Sequence, residues 1–389
     1  MTQPSPTPDG LADLLRRRIV VAPMAGGPTT AGLVIAAARA GALGFLAAGY
    51  KTPGAMAAEI TAVRAATAEP FGVNVFVPGT PYPDSTALAS YLDSVGPGLG
   101  EASWDDDGFD GKVAALLADP PAVTSFTFGC PPREAAAALR DAGSAVVITV
   151  TSPDEAVLAA EAGADALCVQ GYEAGAHRGT FGNDDAPGRD RGLLSLIGEV
   201  AAVTGLPQIA AGGIMSSRQV RAVLAAGAVA AQCGTAFLRS PESGAHPLYK
   251  AALADPRYTA TTVTRAFSGR PARGLVNQFI VEHADAPPAY PEINNATRPL
   301  RAAAAARGDT GRMSLWAGQG YRLAAELPAA EIIGRLRGRP LSGRLGETDS
   351  QVTSAKASIP LSRPLAGIRS DDAKLRGLVR SPQRTEAGR

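Results

Sequence analysis

"AVVITVTSPDEAVLAAEAGADALCVQG" (residues 145–171) contains one whole repeat of the fold. The apolar, β-branched run AVVITV is followed by Ser152 and Pro153, which read as a helix N-cap and a proline in the first turn. The alanine-rich stretch over 153–162 predicts the helix itself. Gly163 then ends it, because glycine adopts at no steric cost the positive φ of a residue that follows a helix. The second run, DALCVQG, is continuous rather than alternating, as expected of a strand buried on both faces.

The same unit recurs on either side. Further runs at IVVAP (19–23), GALGFLAAG (41–49), FGVNVFVP (71–78), AVTSFTFG (122–129), PQIAAGG (207–213) and AVAAQCGTAF (228–237) bring the predicted strands to eight. Helices are predicted over 30–40, 54–68, 132–142, 190–204 and 216–226, and Ser216 or Ser217 supplies another N-cap. The glycine stop reappears in ARAGALGF, LRDAGSAV and VLAAGAVAA. Eight strands alternating with helices predict an α/β fold, a closed (β/α)8 TIM barrel in preference to an open doubly wound sheet. The barrel is expected over 19–238, behind an N-terminal segment 1–18. Residues 79–121 form an enlarged connection with one helix near 85–95. Residues 239–333 read as an appended, mainly helical domain covering the active site. The rest, 334–389, is a basic tail, and 340–389 lacks hydrophobic periodicity and reads as disordered.

The net charge of +1 over 389 residues conceals an asymmetry. From Arg335 to Arg389 twelve Lys/Arg face five Asp/Glu, so the tail carries about +7 and the body about −6. A mildly acidic body offers no nucleic-acid footprint. The basic tail reads as a solvated terminus, with a tether to an acidic partner as the alternative. Cys130, Cys168 and Cys233 lie far apart without CxxC spacing, which suits a reducing cytoplasm and gives neither a disulfide framework nor a zinc site. No run approaches the roughly 18 apolar residues of a membrane span, and no apolar region follows the first arginines as a signal peptide requires. The expectation is a cytoplasmic protein, monomer or homodimer, without nucleic-acid or membrane partners.

In a parallel barrel, chemistry sits at the C-terminal ends of the strands. Met24 follows the first run, Asn74 lies in the third, and Gln170 ends the sixth. Gly212 and Gly213 end the seventh, with Gln232, Gly234 and Thr235 at the eighth. The last two clusters resemble a phosphate cradle, in which glycines free backbone N–H groups near a helix start. The plain alternative is a tight turn at Gly212–Gly213 and a packing contact at Gly234. A GxGxxG fingerprint and a P-loop lysine are both missing, which argues against a dinucleotide or nucleoside triphosphate. FMN fits better, with Asn74 and Gln170 offering amides to its ring edge.

Taken together, VAPMAGGPTT, FGVNVFVP, CVQGYEAGAHRG, IAAGGI, QCGTAF, INNATRPLR and WAGQG resemble the motif series of nitronate monooxygenases of the bacterial class I type, in order over about residues 19–333. That resemblance implies an FMN-dependent barrel under a second domain. It places cofactor contacts at Met24, Asn74, Gln170, Gly175, Gly213, Gln232, Gly234 and Thr235, and the active-site histidine at His177. The implied substrate is an alkyl nitronate such as propionate 3-nitronate, oxidised with O2 to a carbonyl compound and nitrite. One departure stands out: Ala176 precedes His177 where the family usually has glycine, which a negative φ at Ala176 would accommodate.

On a nitronate, His177 is expected to act as a hydrogen-bond donor or cation towards the nitro oxygens. On a neutral nitroalkane the same imidazole would serve as general base. Arg178 is a candidate to pair with substrate charge, a surface ion pair being the alternative, and Trp316 is a candidate to wall the site. His246 and His283 read as structural and the thiols as inert, and metal-ligand spacing is lacking. The competing family is the flavin-dependent enoyl-[acyl-carrier-protein] reductases, which use NAD(P)H. Both GTAF and WAGQG favour the monooxygenase. A third reading is a non-catalytic barrel that binds a phosphorylated ligand.

Overall fold

The computed structural model describes residues 8–184 and 190–338. The strands β1 (Ile19–Val21), β2 (Leu43–Ala47), β3 (Gly72–Phe76), β4 (Val123–Thr127), β5 (Ala145–Val150), β6 (Ala166–Gln170), β8 (Gln208–Ala211) and β9 (Ala230–Cys233) close into a parallel barrel. The ring shuts through Ile19–Val21 against Ala231–Cys233. Helices α2 (Ala31–Arg39), α3 (Pro53–Ala66), α6 (Arg133–Asp141), α7 (Pro153–Glu161), α8 (Leu193–Ala201) and α9 (Ser217–Ala225) surround it. Their ends follow the predicted capping. Ser152 Oγ accepts from the Glu155 N–H at 3.2 Å, and Ser216, not Ser217, caps α9. Gly41, Gly143, Gly163 and Gly227 all have positive φ after α2, α6, α7 and α9.

The continuous apolar runs resolve into two faces with a period of two. Val73, Ile148 and Val169 belong to the outer layer beneath the helices. Val20, Phe45, Val123, Val147, Cys168 and Ile209 fill the barrel interior. Phe45 occupies the space over Gly72, where an added Cβ would lie 2.3 Å from its ring. The segment before β1 contains a helix, α1 (Pro8–Leu15), whose Leu11 and Leu15 join the interior cluster at the N-terminal ends of the strands. Further along the same inward-facing positions the residues turn polar, at Asn74, Ser125, Thr127, Thr149 and Gln170. An apolar plug below and amides and hydroxyls above locate the site at the C-terminal mouth.

Three expectations need correction. The enlarged connection holds two helices, α4 (Ser85–Val95) and α5 (Phe109–Ala118), and α5 packs on α3 and α6 as the outer helix of that unit. The region after β9 contains helices α10 (Pro247–Ala252), α11 (Gln278–Glu282) and α12 (Glu292–Arg307), but it also carries β10 (Thr261–Thr264) and β11 (Ala272–Leu275). These two pair antiparallel with each other and with β7 (Ala176–His177), from the loop after β6. Short runs such as TTVT were too weakly apolar to stand out as strands. Finally, α13 (Ala329–Leu336) runs through Gly334, where the tail was expected to begin, and packs on α2 and α9. The outer ring is thus completed by a helix that follows the insertion. The tail from 339 and residues 1–7 lie outside the described residues.

Candidate active site

A cavity of about 670 Å3 opens at the barrel mouth. Its lining contains Met24, Asn74, Gln170, Gly175, Ala176, His177, Gly212, Gly213, Gln232, Gly234, Thr235 and Trp316, nearly the whole set of sequence candidates. The exception is Arg178. Arg178 follows β7 and does not line the cavity that His177 lines, its backbone N–H being bonded instead to the Pro271 carbonyl at 2.8 Å. It is buried, with Nη1 donating to the Gly171 carbonyl at 2.7 Å and its guanidinium over the Tyr172 ring. Arg178 therefore does not line the cavity in which a substrate contact was expected of it.

One end of the cavity is made of backbone. Gly212 and Gly213 have φ of +126° and +68°, which other residues rarely adopt, so the turn is tight, and it lies shortly before Ser216, the N-cap of α9. Gln219 secures it, accepting from Met215 N at 2.9 Å and donating to Gly213 O at 3.0 Å. At the neighbouring strand end Gly234 lies close under Met24, where a Cβ would make only ordinary contacts, so packing alone does not demand a glycine there. Thr235 opens a 3-10 turn and accepts from Gly318 N at 3.0 Å. The floor between the two ends is polar. Asn74 directs its amide N–H groups to Ser125 Oγ at 2.9 Å and Thr127 Oγ1 at 3.0 Å, leaving its carbonyl oxygen as the acceptor for a ligand.

Gln170 lines the cavity and also has structural partners. Its Oε1 accepts from Gly179 N at 2.8 Å and its Nε2 donates to the His177 carbonyl at 3.1 Å. The side chain therefore clasps the histidine loop as well as facing the cavity. Gly175 fixes the loop from the other side, since a Cβ there would meet Gly318 N at 2.4 Å. The WAGQG segment consequently docks directly on the loop, and the Trp316 ring sits 5.8 Å from that of His177. Between these two clamps Ala176 has φ of +61°, not the negative value that would have accommodated its methyl group. An alanine in this region costs on the order of 1 kcal/mol. Its pairing with Arg273 of β11 holds it there.

The other end of the cavity is made of side chains from distant parts of the chain. His177 is surrounded by the rings of Phe128, Tyr290 and Trp316, at 5.6–5.8 Å. Its Nε2 lies 2.9 Å from Ser268 Oγ. Burial, with Arg270 and Arg301 nearby, lowers the His177 pKa to about 3, so the imidazole is neutral around pH 7. A cationic His177 is therefore not what this geometry supports. Arg270 lies over the Phe128 ring at 4.0 Å and donates to the Thr180 carbonyl. Tyr290 donates to Tyr50 at 3.1 Å, and burial raises the Tyr50 pKa to about 12, so that phenol stays protonated. The fully buried Lys112 pairs with Asp107 at 2.7 Å, and Asp107 in turn accepts from Tyr50 N at 2.8 Å.

Charge in the lining has one sign. Lys51, Arg298 and Arg301 contribute, and among the described residues no Asp or Glu does. Arg301 is held by Asn294, at 2.8 Å to its carbonyl, and burial lowers its pKa to about 10 with Arg298 adding repulsion. Sequence reading assigned no role to Tyr50, Phe128, Ser268, Arg270, Tyr290, Arg298 or Arg301. One signal was available: Asn294, Arg298 and Arg301 follow helical i, i+4, i+7 spacing within INNATRPLR. Of the remaining histidines, His246 caps α10 through Nδ1 and also borders the cavity, while His283 packs between the Tyr91 and Phe279 rings. Burial pushes the Cys168 and Cys233 thiols up to about 12 and Cys130 to about 11, so they remain protonated. The described residues contain no metal-binding cluster and no helix long and apolar enough to cross a membrane.

A glycine cradle, a polar floor and a neutral imidazole at the mouth of a parallel barrel define a cofactor-dependent barrel enzyme. The family model for nitronate monooxygenase matches residues 10–338. A nitronate monooxygenase of Pseudomonas aeruginosa is 40% identical over 337 residues, spanning 82% of this chain and 95% of the relative. A probable nitronate monooxygenase of Bacillus subtilis is 36% identical over 338 residues, spanning 83% and 95%. Among solved structures, nitroalkane oxidase from Streptomyces ansochromogenes aligns with a TM-score of 0.82 at 49% identity, covering 85% of this chain and 97% of that one. FabK from Thermotoga maritima aligns with a TM-score of 0.62 at 28% identity, covering 87% and 96%. The chain belongs to the nitronate monooxygenase family of flavin-dependent oxidoreductases.

Proposed function

We propose that the protein binds FMN and oxidises alkyl nitronates with O2 to carbonyl compounds and nitrite, and that neutral nitroalkanes enter the same site through deprotonation by His177. The observation that carries this reading is the cavity lining, which contains Arg298 and Arg301 and, among the described residues, no Asp or Glu, while Lys51 at its edge is paired with Glu59 at 2.5 Å. Burial already disfavours the charge on Arg301, so an anionic ligand beside it is stabilising, and a nitronate is one. An FMN phosphate fits the other end, where Gly212, Gly213, Gly234 and Thr235 would hold it through backbone N–H groups and a hydroxyl. Asn74 and Gln232 would meet the ring edge. When bound, the flavin supplies the electron-accepting and oxygen-reducing chemistry.

This chain's own residues then bind, orient and move a proton. Arg298 and Arg301 attract the anion to the mouth, and the rings of Phe128, Tyr290 and Trp316 confine it near His177. A nitronate arrives already deprotonated and asks nothing of a base. A nitroalkane must lose its α-proton, and a neutral imidazole is in the right state to accept it. The likeness to a nitroalkane oxidase at 49% identity supports admitting neutral substrates. Anaerobic mixing tests the reading: bound flavin is expected to be bleached by propionate 3-nitronate and to ignore NADPH. Bleaching by NADPH alone would replace this function with that of an enoyl reductase, and protein without flavin would point to a ligand-binding barrel.

A further inference from the structure

The side chain beside His177 decides which of its two ring nitrogens is able to accept a proton. Ser268 is buried, and its Oγ is the centre of a small network. It donates to the Arg270 carbonyl at 3.1 Å, accepts from Arg270 N at 3.4 Å, and lies 2.9 Å from His177 Nε2. A serine hydroxyl has one hydrogen to give. With that hydrogen directed to the Arg270 carbonyl, all three contacts form only if Nε2 carries a proton and donates it to Oγ. The turn that presents Ser268 is tightly fixed. Gly269 has φ of +75°, and a Cβ there would lie 2.1 Å from the Ala289 carbonyl oxygen. Its own carbonyl accepts from Asn183 Nδ2 at 2.8 Å. Nδ1 is bonded to none of the described residues, and it belongs to a side chain that lines the cavity.

We propose that Ser268 is a positioning residue that holds His177 in the Nε2–H tautomer, so that the Nδ1 lone pair is presented to substrate. The inference rests on the reading of His177 as proton acceptor. In the step it supports, the α C–H bond of the nitroalkane breaks and the proton goes to Nδ1. The electron pair moves onto the nitro group, giving the nitronate, while Nε2–H stays on Ser268. No electrons leave the substrate in this step. The charged and titratable groups around the ring are Arg270 before β11, Arg301 of α12 and Tyr290 before α12. Both arginines disfavour the imidazolium, so the proton must pass on to solvent after transfer.

The chain has only three histidines, which makes the tautomer directly observable. In purified flavin-bound protein labelled with 15N-histidine, long-range 1H–15N correlation is expected to show His177 with Nε2 protonated and Nδ1 bare near pH 7, its signals assigned by their loss in His177→Asn. A protonated Nδ1 in the wild type would overturn the proposal without any variant. Ser268→Ala is expected to mix the tautomers and lower nitroalkane turnover on the order of 10-fold or more, leaving nitronate turnover within about 2-fold. Ser268→Thr, which keeps the hydroxyl, should restore the single tautomer. An unchanged tautomer with unchanged nitroalkane turnover in Ser268→Ala would overturn the proposal. If the wild type oxidises neither substrate, the proposed function fails while the tautomer result stands on its own.

Discussion

The two ends of the cavity are built by opposite means. At β8 and β9 the wall is main chain, with Gly212 and Gly213 in positive-φ conformations and Thr235 opening a 3-10 turn. Around His177 it consists of side chains from four separate stretches, which contribute Tyr50, Phe128, Ser268 with Arg270, and Tyr290 with Arg301. On the proposed function this glycine end meets the phosphate of FMN, the same group on every cofactor molecule, for which a fixed backbone cradle would suffice. Choosing a substrate and setting the state of one imidazole requires buried charge, rings and a chosen hydrogen-bond partner, and those can be arranged only in three dimensions. What the comparison teaches is that the glycine end is a local property of the barrel, while the surroundings of His177 belong to the barrel and insertion together.

The sharpest way to break this division is to remove charge from the side-chain end. Arg301→Met is expected to raise KM for a nitronate about 10- to 100-fold, the range of a lost hydrogen bond to a charged group, with a smaller change in kcat. Steady-state kinetics in the flavin-loaded enzyme checks this, and an unchanged KM would show that Arg301 serves only to anchor α12. A smaller, mirrored effect tests the backbone. Gly213 and Ala176 have nearly the same φ, +68° and +61°, but only one of them is glycine. Gly213→Ala should destabilise by about 1 kcal/mol or more and weaken flavin retention, since its Cβ would also crowd Glu173 at 3.0 Å. Ala176→Gly should stabilise by up to about 1 kcal/mol, offset in part by the entropy glycine gains when unfolded. Thermal melts and retained flavin absorbance distinguish the two, and shifts of the same sign would refute the pairing.

The same division explains what the sequence revealed. The eight strands were legible because each shows two buried faces as one apolar run, and the helix ends because Ser152 and Gly163 mark them with local chemistry. The tight turn at Gly212–Gly213 was legible for the same reason, since positive φ favours glycine. His177 stood out as a rare residue in a glycine-rich loop. Its electrostatic state was not legible: the neutral form follows from burial together with Arg270 and Arg301, which are 93 and 124 positions away. Arg178 does not line the cavity because its guanidinium is drawn to the Gly171 carbonyl and the Tyr172 ring, contacts that adjacency to His177 in the sequence does not show. The φ of Ala176 followed from its pairing with Arg273, a contact that spacing cannot show.

The central claim is that His177 works as a neutral proton acceptor, and His177→Asn tests it most directly when nitroalkane and nitronate turnover are measured side by side in flavin-loaded enzyme. The account predicts a loss on the nitroalkane of roughly 10²- to 10⁴-fold, the usual contribution of a general base, with nitronate turnover retained within about 10-fold. Equal losses on both substrates would contradict it and return His177 to the role of a donor or cation towards the nitro oxygens.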